Sequence, residues 1–301
     1  KKTLQQRVRQ LAQERHAIIL AHYYTRPEIQ EIADFVGDSL ALARKAADTD
    51  APVLVMCGVH FMAETCKLLS PDKTVLECDP AAGCSLADSC TAADLARYKA
   101  EHPDCCVTSG NAVKVIGSMP KDEKLIFGPD YNLGNYINSI SGRHMLLWNG
   151  GCHVHEKFSV QAIATLKRRY PDALVMAHLE CKAPVLAMAD VKGSTAAMLT
   201  YAQTHPEQKQ FIVATEAGIL FELQRRCPGQ EFIPVPPEVS EGEQLDSTVP
   251  TSCTCNECEF MKLNTLEKII AALEHLQPEV TIPEDIAHDA VKPIERMLAL
   301  S

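Results

Sequence analysis

Two histidines follow similar apolar segments and are candidates for acid–base chemistry. The segment A-I-I-L-A-H-Y-Y delivers His22 and Tyr24, and the segment A-L-V-M-A-H-L-E delivers His178 and Glu180. Alternate residues at the end of a strand face the same side, so each histidine can lie beside the residue two positions later. An imidazole beside a carboxylate is a common arrangement for proton transfer, and a tyrosine can donate or shuttle a proton. The alternative is that each histidine is a buried core residue with a backbone partner.

Hydroxyl side chains recur after the same segments, at or near predicted helix starts. Ser39 follows the first of these histidines by 17 residues, and Ser194, with Thr195 beside it, follows the second by 16. A partial third copy, C-C-V-T-S-G-N-A-V, offers Ser109 after a predicted strand at 105–107. Backbone N–H groups at a helix start favour anions, although a single serine there is usually only an N-cap. The recurrence predicts that these hydroxyl groups bind phosphate or carboxylate.

Cysteines form the third set of candidates. The chain has 13, and Cys84, Cys152 and one of the C-T-C-N-E-C group at 253–258 lie in predicted loops. Three thiolates from three loops suit an iron–sulfur cluster that leaves one iron without a protein ligand, free to act as a Lewis acid. A zinc site, a disulfide within 253–258 and burial as plain core residues are the alternatives, and the spacing does not decide among them. His155, three residues after Cys152, could orient the same loop or titrate near it.

Strands and helices alternate along the whole sequence, which is the pattern of an α/β protein with mostly parallel sheets. The repeated segments indicate that the chain is built from related units, with their polar residues at the carboxyl ends of strands, where such sheets bind ligands. We expect three domains: residues 1–90, residues 91–170, and residues 171–301 with the C-terminal cysteine loop. The helix predicted at 284–299 is expected to pack back on the first domain.

Composition excludes several function classes. The formal net charge is −10 at pH 7, whereas a nucleic-acid or acidic-membrane surface needs basic patches. Apolar residues make up 46% and charged residues 23% of the chain, which is ordinary for a soluble globular protein. No apolar run approaches the length of a membrane span, and K-K-T-L-Q-Q-R lacks the apolar centre of a signal peptide. We therefore expect a soluble, cytoplasmic protein with no membrane or nucleic-acid partner.

Taken together, these residues resemble one family, the quinolinate synthases, which are iron–sulfur enzymes of de novo NAD biosynthesis. The matching strings run in order over nearly the whole chain. They are A-H-Y-Y, G-D-S, A-G-C-S-L-A-D, T-S-G-N-A-V-K, G-P-D-Y-N-L-G, C-H-V-H-E-K-F, A-H-L-E-C, G-S-T, C-N-E-C and M-K-L-N-T-L-E-K. The resemblance implies three pseudo-symmetric, three-layer αβα domains around a central cavity.

The resemblance also implies a cofactor and a reaction. The cofactor is a [4Fe-4S] cluster with one open iron, held by Cys84, Cys152 and Cys258, so that Cys253 and Cys255 are not ligands. The reaction condenses iminoaspartate with dihydroxyacetone phosphate to give quinolinate, phosphate and water. The implied functional partner is L-aspartate oxidase, which supplies the unstable iminoaspartate.

Residue roles follow from the same resemblance. It assigns acid–base steps to Tyr24, His178 and Glu180. It assigns substrate binding to His22, Ser39, Ser109, Ser194 and Thr195.

The sequence departs from the family pattern between Asp104 and Cys105. The pattern there includes a further strand-and-turn segment with a Tyr-x-Asn motif that contacts substrate, but H-P-D-C-C-V-T-S joins directly. We favour a segment missing from this sequence, because a true deletion would remove a central strand. A chain that really lacked the segment would instead be a non-catalytic metal- or redox-sensing protein on the same scaffold.

Overall fold

The computed structural model describes residues 1–98, 107–237 and 256–301, and these residues form two compact units. Unit 1 contains residues 1–84, 107–118 and 258–301. Unit 2 contains residues 85–98, 119–237 and 256–257. Both are α/β with parallel sheets, as the alternation of strands and helices predicts.

The described strands are β1 Ala17–His22, β2 Phe35–Gly37, β3 Val53–Cys57, β4 Thr74–Glu77, β5 Ile126–Phe127, β6 Leu146–Leu147, β7 Leu174–His178, β8 Val191–Gly193, β9 Gln210–Ala214 and β10 Glu231–Pro234. The described α-helices are α1 Lys2–Glu14, α2 Pro27–Gln30, α3 Ser39–Asp48, α4 His60–Leu69, α5 Ser85–Asp88, α6 Ala92–Tyr98, α7 Ala112–Ser118, α8 Tyr131–Ser141, α9 Val160–Arg169, α10 Ala183–Met188, α11 Thr195–Thr204, α12 Ile219–Arg226, α13 Glu259–Lys262, α14 Leu266–His275 and α15 Glu284–Leu300. None of these helices is long and apolar enough to cross a bilayer.

Unit 1 is built on a four-stranded parallel sheet with the order β2-β1-β3-β4. Every residue of β3, V-L-V-M-C, is buried, which is typical of a parallel strand covered on both faces. Helices α3 and α4 pack on each other, and α14 packs on α1 and on the sheet. The C-terminal helix α15 lies on α4 and α7, where Ile294 and Met297 pack with Leu40 in a small core of their own.

Unit 2 repeats this architecture. Its four-stranded sheet has the order β8-β7-β9-β10, so the first strand again lies between the second and the third. Its core joins Phe158 and Ile163, next to and within α9, to Val175 and Ile212 of the central strands. Strands β5 and β6 form a separate two-stranded parallel sheet in the same unit.

The register of the first two strands is the same in both units. His22 lies opposite Gly37 in unit 1, and His178 lies opposite Gly193 in unit 2. The repeated apolar segments of the sequence are therefore equivalent strands, which places each histidine at the carboxyl end of a sheet.

A carboxylate ties the same two strands together in each unit. The Asp34 carboxylate accepts a 2.7 Å hydrogen bond from the Ile19 N–H, and the Asp190 carboxylate accepts a 2.8 Å bond from the Val175 N–H. The backbone N–H groups of both aspartates donate back to the carbonyls of the same partners. This reciprocal pairing holds the short second strand against the first.

Strands β2 and β8 were not predicted. The pattern after Pro27 predicts a helix through Phe35, yet α2 ends at Gln30 and Phe35 begins a strand. Three residues are too few to show an alternating pattern, so only their pairing with β1 and β7 identifies these strands.

Neither the three predicted domains nor the central cavity is decided by the two units described here. The strand predicted at 105–107 lies, apart from Val107, outside the described residues, as does the junction of Asp104 with Cys105. The strand at 105–107 and the missing segment expected at this junction therefore stay predictions.

Candidate active site

In unit 1 the polar residues after β1 form a compact turn. The Tyr24 N–H donates to His22 Nδ1 over 3.2 Å, and the two rings contact edge to face with centroids 4.7 Å apart. His22 is buried and its carbonyl accepts hydrogen bonds from both the backbone N–H and the hydroxyl of Thr25. The turn therefore fixes the imidazole of His22 and leaves the Tyr24 ring half-buried beside it.

Unit 2 has the equivalent turn, with a carboxylate in place of the phenol. The Glu180 N–H donates to His178 Nδ1 over 3.4 Å, and the His178 carbonyl accepts the Cys181 N–H. The predicted side-by-side arrangement of His178 and Glu180 is present, with Nδ1 of the histidine 3.8 Å from Oε2 of the glutamate.

The hydroxyl groups begin the helices that follow β2 and β8. In unit 1 the Asp38 carboxylate caps α3 by accepting the Ala41 N–H, and Ser39 is the first helical residue. In unit 2 the Ser194 hydroxyl caps α11, and Thr195 is the first helical residue. By register, the counterpart of Ser39 is thus Thr195 rather than Ser194.

Glycine is required in front of both helices. A Cβ on Gly37 would lie 3.0 Å from the Ala41 Cβ, and one on Gly193 would lie 2.8 Å from the Ala197 Cβ. Both distances are shorter than normal carbon–carbon contact, so the first turn of each helix packs against bare backbone. This close packing directs the N–H groups of the first turn to the same edge as the histidine.

Glu180 is surrounded by two imidazoles and a thiol, all within unit 2. The His155 ring stacks on the His178 ring with centroids 4.4 Å apart, and His155 Nδ1 lies 3.1 Å from Glu180 Oε2. His155 Nε2 lies 3.0 Å from the Thr215 hydroxyl at the carboxyl end of β9. Cys152 Sγ, one ligand atom of His155 and one of Glu180 all lie within 4.8 Å of one another.

This packing shifts the pKa values of Glu180, His155 and His178 in different directions. Burial alone would raise the pKa of Glu180, but His178 and His155 lower it to about 2. Burial opposes charge on His155, yet Cys152 and Glu180 raise its pKa well above the ordinary value. Burial and the neighbouring charge of His155 lower the pKa of His178 to about 4. These shifts favour the charged forms of Glu180 and His155 and the neutral form of His178.

The loop that carries Cys152 is held by Asp130. The buried carboxylate of Asp130 accepts the Cys152 N–H over 3.2 Å and caps α8 by accepting the Leu133 N–H over 2.7 Å. A Cβ on Gly150 would lie 2.6 Å from the Pro129 carbonyl oxygen, so only glycine fits where the loop crosses that segment. Burial, and next the charge of Glu180, raise the pKa of Asp130 to about 7.

The two other candidate cluster ligands lie in unit 1. Cys84 ends the loop after β4, and Cys258 directly precedes α13. Both are half-buried cysteines that pack, together with Tyr24, against the core of the unit 1 sheet. Helix α13 is tied to the β1 turn because Lys262 Nζ donates to the Tyr24 carbonyl over 2.7 Å.

A protein-family model described as quinolinate synthetase A protein matches residues 6–299. The chain belongs to the quinolinate synthetase A family. It is 49% identical to the quinolinate synthase of Thermosynechococcus vestitus, over 98% of this chain and 94% of that protein. It is 48% identical to the quinolinate synthase of Chloroherpeton thalassium, over 98% of this chain and 93% of that protein. The family resemblance stated from the sequence is confirmed, and the chain is an enzyme of the quinolinate synthase type.

Ser109 belongs to unit 1. It precedes α7 in a turn where the Asn111 carboxamide oxygen accepts the Thr108 N–H over 2.7 Å. Its side chain is half-buried. Cys253 and Cys255, which the family resemblance leaves without a ligand role, lie outside the described residues. That these two cysteines are not cluster ligands therefore stays a prediction.

Two residues of this quinolinate synthase family member contribute more to the site than their sequence context indicates. The sequence indicates that His155 could orient the Cys152 loop or titrate near it, whereas the structure places it closer to the Glu180 carboxylate than His178 is. The C-x-x-H spacing from Cys152 was the available signal, since it places both side chains on one turn. Asp130, in the family string G-P-D-Y-N-L-G, gave no signal of its own because a helix N-cap needs the same residue type.

Proposed function

We propose that this chain catalyses the condensation of iminoaspartate with dihydroxyacetone phosphate to quinolinate, phosphate and water, as a step of de novo NAD biosynthesis. The observation that carries the proposal is the Glu180 carboxylate enclosed by His155 and His178 beside the Cys152 thiol, in a chain of the quinolinate synthetase A family. Dehydration and ring closure need groups that donate and accept protons at fixed positions, and this cluster offers both.

Each member of the cluster has a distinct task in the proposal. His155 holds a proton against Glu180 and donates it where negative charge develops on the substrate. His178 is neutral, so its imidazole accepts a proton from a substrate carbon or nitrogen. Glu180 keeps both rings in place through its 3.1 Å and 3.8 Å contacts and returns protons between them. Tyr24, in the equivalent turn of unit 1, moves a proton at the other repeat.

The hydroxyl groups and His22 hold the two anionic substrates. Ser39 and Thr195 are the first residues of α3 and α11, where free backbone N–H groups favour phosphate or carboxylate oxygens. Ser194 and Ser109 add hydroxyl donors after β8 and before α7. This assignment is supported by the equal position of Ser39 and Thr195 in two repeats that share a strand register.

The donor set fits the cofactor that the family resemblance implies. Cys84, Cys152 and Cys258 are half-buried cysteines in loops or directly before helices, and cysteine thiolates are the ligands of [4Fe-4S] clusters. We assign these three residues as its ligands. The bound cluster would supply a Lewis acid at its open iron. An L-aspartate oxidase that makes iminoaspartate is the expected functional partner.

The test is quinolinate formation by protein reconstituted with iron and sulfide without oxygen, comparing wild type with Glu180→Gln. The variant removes the charge that holds His155 and His178, so turnover is expected to fall by at least a hundredfold while the visible spectrum of the cluster is unchanged. Glu207→Gln is a matched control, because Glu207 is exposed in the same unit. No quinolinate from wild-type protein with a full cluster would refute the proposal and favour a metal- or redox-sensing role.

A further inference from the structure

Three different metal-ligand types meet in unit 2, one from the three-cysteine set and two from outside it. The Cys152 thiol, the His155 imidazole and the Glu180 carboxylate each present a ligand atom within 4.8 Å of the others. The loop from Cys152 to His155 is a tight turn in which the Glu156 N–H donates to the Cys152 carbonyl over 2.9 Å. That turn brings the thiol and the imidazole of a C-x-x-H sequence to one side, which is a familiar ligand spacing in metal sites.

The distance between His155 Nδ1 and Glu180 Oε2 matches that between two ligands of a tetrahedrally coordinated ion. Zinc binds nitrogen and oxygen ligands at about 2.0–2.1 Å, so two ligands at the tetrahedral angle lie roughly 3.3 Å apart. The observed distance from His155 Nδ1 to Glu180 Oε2 is 3.1 Å. The thiol completes three ligands of the kind that catalytic zinc sites use, with a fourth position left open.

The imidazole of His155 is set up to be a ligand. Its side chain is only 1% exposed, and Nδ1 faces the Glu180 carboxylate oxygen at 3.1 Å. A metal ion bound by both groups would take the place of the proton between them, since a metal-bound imidazole is neutral. On the other side of the ring, Nε2 is held at 3.0 Å by the Thr215 hydroxyl, the type of outer contact that orients metal-bound histidines.

We propose that Cys152, His155 and Glu180 form a mononuclear site for a divalent, borderline-soft metal ion, with Zn²⁺ as the expected occupant. The site goes beyond the proposed function and does not depend on it, because two of its three ligands are not cluster ligands. Since Cys152 is shared, zinc binding and cluster assembly exclude each other. His178 is not included, because its Nδ1 already accepts the Glu180 N–H.

The test is Zn²⁺ binding to cluster-free protein, measured by competition with a chromophoric chelator under anaerobic conditions. All measurements use a Cys253→Ser/Cys255→Ser/Cys258→Ser background, so that the C-terminal thiols cannot bind the ion. We expect one Zn²⁺ per chain. Cys152→Ser, His155→Asn and Glu180→Gln should each weaken binding at least tenfold, whereas Cys84→Ser should leave the affinity unchanged. Equal affinity in all four variants, or loss only in the Cys84 variant, would overturn the proposal.

A structural readout covers the case in which a variant fails to fold. X-ray absorption of the zinc-loaded background protein should show one sulfur at about 2.3 Å and nitrogen or oxygen ligands at about 2.0 Å. Two or more sulfur ligands would overturn the assignment.

The outcome also separates this site from the proposed function. Zinc-loaded wild-type protein should take up iron and sulfide more slowly than metal-free protein, and removing the zinc should restore assembly. Binding of zinc with this ligand set in a chain that makes no quinolinate would leave the zinc site standing while refuting the proposed function. Quinolinate synthesis by a chain that binds no zinc would refute the zinc site and leave the proposed function standing.

Discussion

The Thr215 hydroxyl offers the sharpest test of how the site is held. His155 and Thr215 are both almost fully buried. The Thr215 hydroxyl lies 3.0 Å from His155 Nε2 and is a hydrogen-bond partner of that ring nitrogen. Valine has nearly the same shape as threonine, so Thr215→Val removes the hydroxyl without opening a cavity. A buried N–H without a partner costs about 1–3 kcal/mol. We expect unit 2 to lose about that much stability, roughly a tenfold drop in its folding equilibrium for each 1.4 kcal/mol.

Two assays follow from this substitution. Urea unfolding is monitored by the fluorescence of Trp148, the single tryptophan, which lies in the same unit as Thr215. Turnover of the reconstituted enzyme should fall at least tenfold, because an outer contact that orients an active-site histidine is commonly worth that much. Thr215→Ser keeps the hydroxyl and loses one methyl group, about 0.8 kcal/mol, so it should lose some stability but retain turnover. A valine variant as stable and as active as wild type would refute the role of this contact.

Three further outcomes test the repeat and the core. Asp34→Ala and Asp190→Ala each leave a buried strand N–H without its carboxylate, so each should lower the midpoint of urea unfolding by a similar amount, corresponding to about 1–3 kcal/mol; a cost in one repeat alone would contradict their equivalence. Gly193→Ala places a Cβ 2.8 Å from the next helix, and calorimetry should show about 1–3 kcal/mol of destabilisation; no change would mean that the helix can move away. Burial raises the pKa of Cys66 to about 12, so at pH 8 its thiol stays protonated, and mass spectrometry should find it alkylated only after unfolding.

The repeat could be predicted from the sequence because equivalent strands pack in the same way and therefore have similar residues. A-H-Y-Y and A-H-L-E both end in a histidine and a second polar residue two positions later, and both do so at the carboxyl edge of the first strand. The helix starts at Ser39 and Thr195 could be predicted for the same reason, since each follows a glycine that only close packing explains.

Other features could not be predicted because they depend on contacts between distant residues. The strand Phe35–Gly37 has no pattern of its own and exists through its pairing with β1. The approach of His155 to Glu180 depends on how the Cys152 loop packs against β7, which no spacing along the chain states. The roles of Asp130 and Thr215 are equally hidden, because a capping aspartate and a strand-end threonine are common without any site nearby.

The most direct test of the central claim is the iron and acid-labile sulfide content of anaerobically reconstituted protein, measured beside Cys84→Ser, Cys152→Ser and Cys258→Ser. The account predicts about four irons and four sulfides per chain in wild type, with the cluster absorption lost in each of the three variants, and quinolinate formed only by the wild type. A stable cluster that survives any one of the three substitutions, or wild-type protein that binds stoichiometric zinc and no iron under these conditions, would contradict it.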